Sequence, residues 1–167
     1  MKSPVIKMIV AYANDRIIGY KNQIPWKLSG DLKRFKKLTT NGIVVMGRKT
    51  FESLPNGPLP DRVNIVLTRD EKYKIDHPNV VIVHSVVNVL HYLHESENKC
   101  TTYIIGGEEI YNLFLSYCDE ILATEVHLDV QGDSYFPFLS DRIWKRSTFI
   151  RKQENGIFYD YVTYKRF

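Results

Sequence analysis

The sequence predicts an α/β fold, with a predominantly parallel central sheet flanked by helices and an antiparallel C-terminal hairpin at one edge. Three observations predict it. Short β-branched runs recur along the chain, segments of helical period separate several of them, and the C-terminal part holds two extended segments joined through an Asn-Gly pair. The runs at 5–13, 43–46, 63–68, 80–84, 103–105 and 121–127 are almost continuously apolar, which is the pattern of strands covered on both faces.

Taken in order, 5–13 is a strand interrupted only by Lys7, and a helix follows over 28–38. Leu28, Leu32, Phe35 and Leu38 share one arc of that helix, with Lys33, Arg34, Lys36 and Lys37 outside it and Ser29 as candidate N-cap. The strand at 43–46 turns at Gly47 into a short helix over 49–54, and Leu54-Pro55-Asn56-Gly57-Pro58-Leu59-Pro60 is an irregular loop. Strands at 63–68 and 80–84 precede a helix over 86–95, opened by Ser85. The strand at 103–105 runs through Gly106-Gly107 into a helix over 108–116, and the strand at 121–127 follows. The hairpin pairs 144–152 with 158–167 around a turn at Asn155-Gly156.

With 167 residues, 44% hydrophobic and 25% charged, the chain falls in the soluble globular class and reads as a single domain over residues 1–167, not as a disordered or collagen-like chain. Twenty-three Lys and Arg against 19 Asp and Glu give +4, which suits an anionic ligand without singling one out. Cys100 and Cys118 form no C-x-x-C pair and no set of four, which excludes a zinc site or disulfide framework and fits free thiols in a reducing compartment. Met1-Lys2-Ser3-Pro4 leads into the first strand with no signal-peptidase-like site after it. No run approaches the roughly 18 to 20 apolar residues of a membrane helix, so the expected location is the cytoplasm, with no membrane partner.

Asp31 falls inside the apolar arc of the 28–38 helix. A first-turn carboxylate there commonly does no more than complement the helix dipole. The sharper reading is a lone carboxylate facing an apolar pocket, where burial raises its pKa and a heterocycle with paired N–H donors satisfies it. Three strand ends form a second constellation: Gly47-Arg48-Lys49-Thr50, Leu67-Thr68-Arg69 and Gly106-Gly107. Each offers cations, or backbone that a ligand approaches closely; in open α/β sheets ligands collect at strand carboxyl ends, so parallel neighbours would bring these residues onto one rim. An extended phosphate-bearing ligand such as a dinucleotide fits them. Neither G-x-G-x-x-G nor a P-loop is present. His91-x-x-His94 lacks a third ligand, so no metal is predicted. No nucleophile arrangement occurs. The 11 tyrosines fit strand packing and the basic residues are dispersed, which argues against a nucleic-acid partner.

In this order the pieces resemble dihydrofolate reductase over nearly the whole chain. The resemblance is carried by Asp15-Arg16-Ile17-Ile18-Gly19 with Pro25-Trp26, by Asp31-Leu32-x-x-Phe35, and by Met46-Gly47-Arg48-Lys49-Thr50-Phe51-Glu52-Ser53-Leu54. Pro58-Leu59-Pro60-x-Arg62, Ile105-Gly106-Gly107 with Tyr111, and Gly132-Asp133-x-x-Phe136-Pro137 complete it. The resemblance implies NADPH as cofactor, dihydrofolate as substrate and antifolates as inhibitors; no sustained heptad or exposed apolar helix face argues for assembly, so a monomer is expected. By resemblance Asp31 would grip the 2-amino group and N3 of the pterin, Thr124 would support it through water, and Trp26 would help position water beside the carboxylate. Ile9, Val10, Phe35, Leu54 and Ile105 would border the pterin and aminobenzoyl groups, and Arg62, joined by Lys36, would hold the glutamate tail.

For the cofactor, Ala11, Ile18 and Gly19 match positions near the nicotinamide, and Gly47, Arg48, Lys49, Thr50, Leu67, Thr68 and Arg69 match the phosphate and adenosine contacts. Gly106, Gly107, Glu108, Glu109, Ile110 and Tyr111 match the third strand end, usually with a cis peptide between the two glycines. The segment 19–28 corresponds to a loop that closes over the nicotinamide. Three features depart from the family pattern: Glu108 replaces a small residue, Asn56-Gly57 stands where some relatives carry Arg, and Tyr20 adds bulk to the closing loop. A reductase of the same fold acting on a ribosylaminopyrimidine is the competing reading, and Asp31, Phe35 and Arg62 argue against it.

Overall fold

The computed structural model describes residues 3–97 and 99–167; Met1 and Lys2, at the head of the N-terminal stretch, and Asn98 lie outside the described residues. The strands are β1 (Ile6–Tyr12), β2 (Ile17–Gly19), β3 (Ile43–Gly47), β4 (Val63–Leu67), β5 (Val80–Val83), β6 (Thr102–Gly106), β7 (Glu120–Val126), β8 (Ser134–Tyr135), β9 (Trp144–Glu154) and β10 (Ile157–Arg166). The helices are α1 (Ser29–Thr39), α2 (Arg48–Glu52), α3 (Val86–Glu95) and α4 (Glu108–Phe114).

Eight strands form one sheet in the order β5-β4-β3-β6-β1-β7-β10-β9. The six from β5 to β7 are mutually parallel, and β10 runs antiparallel to both β7 and β9. The fold class is the one the alternation of elements predicts. Because side chains alternate across a strand, each parallel strand feeds two cores. Met8, Val10, Val45, Ile65 and Ile104 pack on one face beneath α3 and α4, through Val89, Leu93, Ile110 and Phe114. Ile9, Val44, Met46 and Val66 pack on the other face, through Phe51 of α2 and Phe35 and Leu38 of α1. At the hairpin turn Asn155 (φ 52°) and Gly156 (φ 77°) both take the left-handed region, which the tight turn requires and Asn-Gly supplies.

Several local expectations change. α1 begins at Ser29, so Leu28 takes the cap position and Ser29 is not the N-cap. Leu32, on the predicted apolar arc, is 57% exposed, because α1 packs on the sheet through Phe35 and Leu38. α2 starts one residue earlier than predicted, at Arg48, and α4 ends at Phe114 in a 3-10 turn over Leu115–Tyr117. Ser85 caps α3 as expected, its side chain accepting from the Asn88 N–H at 3.1 Å. The antiparallel β2–β8 ribbon was not predicted; strands of three and two residues are too short to carry a period. Among the described residues no helix is long and apolar enough to cross a membrane.

Candidate active site

The first turn of α1 lies against β7 and β10, and this contact sets Asp31. Thr124, buried on β7, donates from Oγ1 to Asp31 Oδ1 at 2.7 Å. The resemblance placed a water between them. Here the hydroxyl reaches the carboxylate directly, because Thr124 pairs with Ala11 of β1 and Tyr161 of β10 on the strand beside the helix start. Burial raises the Asp31 carboxyl above its ordinary value; Thr124 and the Arg34 guanidinium act against that, and Glu154 adds to it. Arg34 lies 4.0 Å from the ring centroid of Tyr161, and burial pushes the Tyr161 phenol up. Trp26, Leu28, Val126, Tyr159 and Tyr161 form the apolar cluster at this end of the helix.

Asp31 does not have to complement the α1 dipole. Glu154, at the end of β9, accepts from Ser29 N at 2.7 Å and from Gly30 N at 2.9 Å. Sequence reasoning missed this residue; 125 positions separate it from Ser29, and no local spacing signals such a pairing.

Beyond Asp31 the covered face of the sheet is apolar. Ile9, Phe35, Leu54 and Ile105 join Phe51 and Leu122 in one cluster. The side chain of Val10 lies in the opposite core with Met8 and Tyr12, leaving its backbone for this face. Tyr111 donates its hydroxyl to the Ile9 carbonyl at 2.9 Å, tying α4 to β1. At the far end of α1, Arg62 is 6% exposed and donates from Nε to the Pro60 carbonyl at 2.8 Å and from Nη1 to Thr39 Oγ1 at 3.0 Å. Among the described residues it makes no salt bridge. It is a buried guanidinium that an incoming carboxylate can neutralise. Lys36 stays exposed on α1.

The three strand ends meet on one rim. β3 pairs in parallel with β4 on one side, Gly47 opposite Leu67, and with β6 on the other, Met46 opposite Gly106. The Gly106-Gly107 peptide is cis, as the resemblance led us to expect, and a Cβ at Gly106 (φ 112°) would stand 3.0 Å from the Tyr111 ring. Two of the rim's cations, Arg48 and Arg69, already have acidic neighbours. Arg48 lies 3.8 Å from Glu52 and 3.9 Å from Asp70, and Arg69 pairs with Glu109. Lys49 is exposed, and Thr68 Oγ1 accepts from Asp70 N at 3.2 Å. Ile110 sits behind Gly47, where a Cβ would come within 3.1 Å of it, and the nearest atom to a Cβ on Gly107 would be Thr50 Oγ1, 3.6 Å away.

Ile18 and Gly19 lie on β2, which pairs with β8. Asp133 N donates to the Gly19 carbonyl at 3.0 Å, and Lys21 N donates to Asp133 Oδ2 at 2.9 Å, anchoring the start of the 19–28 segment. Gly132 leaves room for Ile17, into which a Cβ would run. Tyr20 closes a turn with Gln23, and Lys21 lies 5.2 Å from its ring centroid. Glu108 accepts from Tyr135 N at 2.6 Å, joining α4 to this ribbon.

A half-buried carboxylate at one end of α1, a guanidinium at the other, an apolar cluster beside them and cations on parallel strand ends are the arrangement of an α/β enzyme. Comparison with known proteins makes this specific. The family model for dihydrofolate reductase matches residues 5–166. Dihydrofolate reductase of Lactococcus lactis is 42% identical over 125 residues, 75% of this chain and 73% of the relative, and that of Staphylococcus haemolyticus 34% over 164 residues, 96% and 95%. A bifunctional dihydrofolate reductase-thymidylate synthase of Paramecium tetraurelia is 39% identical over 159 residues, and the chain spans 33% of its length. Among solved structures, dihydrofolate reductase from Enterococcus faecalis complexed with NADP(H) and RAB-propyl superposes with a TM-score of 0.89 at 31% identity, covering 98% of this chain and 97% of that one. The chain belongs to the dihydrofolate reductase family.

Proposed function

We propose that the protein reduces 7,8-dihydrofolate to 5,6,7,8-tetrahydrofolate with NADPH, acting as one domain and as a monomer. Membership of the family supports an NADPH-dependent reductase, and the observation that carries the substrate is the pair Asp31 and Arg62 at opposite ends of α1. From Asp31 to Thr39, the partner of Arg62, the helix rises about 12 Å at 1.5 Å per residue. This suits a ligand with a hydrogen-bonding ring at one end, an apolar middle and a carboxylate at the other.

In this reading Asp31 accepts from the 2-amino group and N3 of the pterin, and Thr124 holds the carboxylate in register. Phe35, Leu54, Ile9 and Ile105 pack on the ring and aminobenzoyl group and exclude water from them. The ionised carboxylate stabilises the positive charge that arises as N5 takes a proton from solvent, with Trp26 shaping the approach beside Asp31. Arg48, Lys49, Thr68 and Arg69 would hold the cofactor phosphates, and the open backbone at Gly107 fits close approach of its nicotinamide end. When bound, the cofactor supplies the hydride that C6 receives. Holding the rings in register is worth about 7–11 kcal/mol in favourable cases. The free thiols Cys100 and Cys118 fit the reducing cytoplasm.

The test is the loss of reduced-nicotinamide absorbance when purified protein meets NADPH and dihydrofolate, with NADH and no-substrate controls. Turnover preferring NADPH is expected. A folded protein that binds NADPH without reducing dihydrofolate would sink the substrate assignment.

A further inference from the structure

The C-terminal hairpin reaches back to the start of α1. Glu154 Oε2 accepts from Ser29 N at 2.7 Å and from Ser29 Oγ at 3.1 Å, while Oε1 accepts from Gly30 N at 2.9 Å. These are two of the N–H groups that an α-helix leaves without internal partners, at the positive end of its dipole. Contact this close depends on Gly30, where a Cβ would stand 3.1 Å from the Tyr159 hydroxyl and 3.2 Å from Glu154 Oε1. Asp31 is the next residue along the chain.

We propose that Glu154 is a positioning residue for Asp31: it holds the first turn of α1 and fills the positive end of the helix, leaving Asp31 to the substrate. The proposal rests on reading Asp31 as the carboxylate that grips the pterin. A carboxylate in a helix's first turn ordinarily gains from the dipole, which favours its ionised form. Glu154 takes that gain and adds a like charge, so Asp31 holds its proton to higher pH than it otherwise would. The groups facing Asp31 are Thr124 from β7, Arg34 from α1, Tyr161 from β10 and Glu154 from β9, with Lys33 beside Glu154. Glu154 is the anionic member of the set, lowered from the ordinary carboxylate value by the Gly30 and Ser29 N–H groups.

The test is the pH profile of kcat/KM for dihydrofolate in the wild type, Glu154→Gln, Glu154→Asp and Asp31→Asn, with a melting temperature for each. Gln keeps the length and an acceptor but drops the charge. Glu154→Gln is expected to move the midpoint to lower pH, Glu154→Asp to restore it toward the wild type, and Asp31→Asn to abolish it. Should Glu154→Gln fail to fold at the assay temperature, Gly30→Ala, whose Cβ crowds Glu154 Oε1 at 3.2 Å and so loosens its hold on the first turn, must move the midpoint the same way. A wild-type midpoint in Glu154→Gln, whatever its kcat or Tm, would make Glu154 a structural cap and overturn the proposal. A wild-type profile in Asp31→Asn would instead overturn the reading of Asp31, and the proposal with it.

Discussion

Thr124 Oγ1 and Asp31 Oδ1 are joined by a 2.7 Å hydrogen bond that fastens the first turn of α1 to β7. The hydroxyl has one proton to donate, and giving it to the carboxylate favours the ionised form against the cost of burial. Thr124→Val keeps the shape and removes the donor. Asp31 then loses its proton at higher pH, so the midpoint of kcat/KM moves up, and activity at neutral pH falls by about 3- to 30-fold. A pH–rate profile decides it, and an unmoved midpoint would mean that the hydroxyl serves packing alone.

Asp31 itself weakens the fold in exchange for its role. Its carboxyl is raised in the folded chain, so the folded state holds this proton more firmly than the unfolded state does. Stability from this group therefore falls as pH rises from the ordinary carboxylate value through the raised one, and the loss is complete above it. Asn keeps the acceptor for Thr124 and carries no charge. Asp31→Asn should raise Tm at neutral pH by about 1–4 °C, with the difference closing in acid. The same variant should lose about 100- to 1,000-fold in kcat/KM at neutral pH and partly recover in acid, where the substrate arrives protonated. Calorimetry and steady-state kinetics across pH read both halves.

On the proposed reading, Arg62 separates tail binding from chemistry. Its Nε and Nη1 are fixed by the Pro60 carbonyl and Thr39, so the guanidinium is held ready for a carboxylate. Lys cannot reproduce that fork. Arg62→Lys should raise KM for dihydrofolate by about 10- to 100-fold with kcat little changed. A dihydropterin without the glutamate tail should be unaffected; an equal loss with it would show that Arg62 acts through the fold.

The parallel sheet was legible because its strands carry nearly continuous apolar runs and helical patterns separate several of them. The hairpin was legible from Asn155-Gly156, where both residues take the positive φ such turns need. At the site, Asp31 stood out as a charge on an apolar arc, and the rim stood out because Gly47, Thr68 and Gly106 each end a strand run. Glu154 and the direct Thr124 contact were not legible. Both depend on which strands become neighbours: Thr124 meets Asp31 once β7 lies beside β1, and Glu154 meets Ser29 once β10 and β9 add to that edge. The acidic partners of the rim were missed for a related reason. Glu109 is an ordinary first-turn residue in sequence, and only the pairing of β3 with β4 and β6 brings it to Arg69.

That pairing bears on cofactor choice. Arg48 faces Glu52 and Asp70, and Arg69 faces Glu109, with Glu108 close along α4, so the rim is less positive than its cations suggest. Arg69 and Glu109 are both exposed, and such a pair contributes little to the fold but competes directly with an incoming phosphate. NADPH carries one phosphate more than NADH, so relieving that competition should favour NADPH selectively. Glu109→Gln should tighten NADPH binding by about three- to tenfold, change NADH binding less, and leave Tm nearly unchanged. The gain should shrink in high salt, where the Debye length falls to about 3 Å at 1 M. Quenching of Trp fluorescence on titration with each cofactor, at low and high salt, reads all of this. Equal gains for NADPH and NADH would place the influence of Glu109 on the pyrophosphate that both share, and Arg69 would then lose its part in discriminating between them.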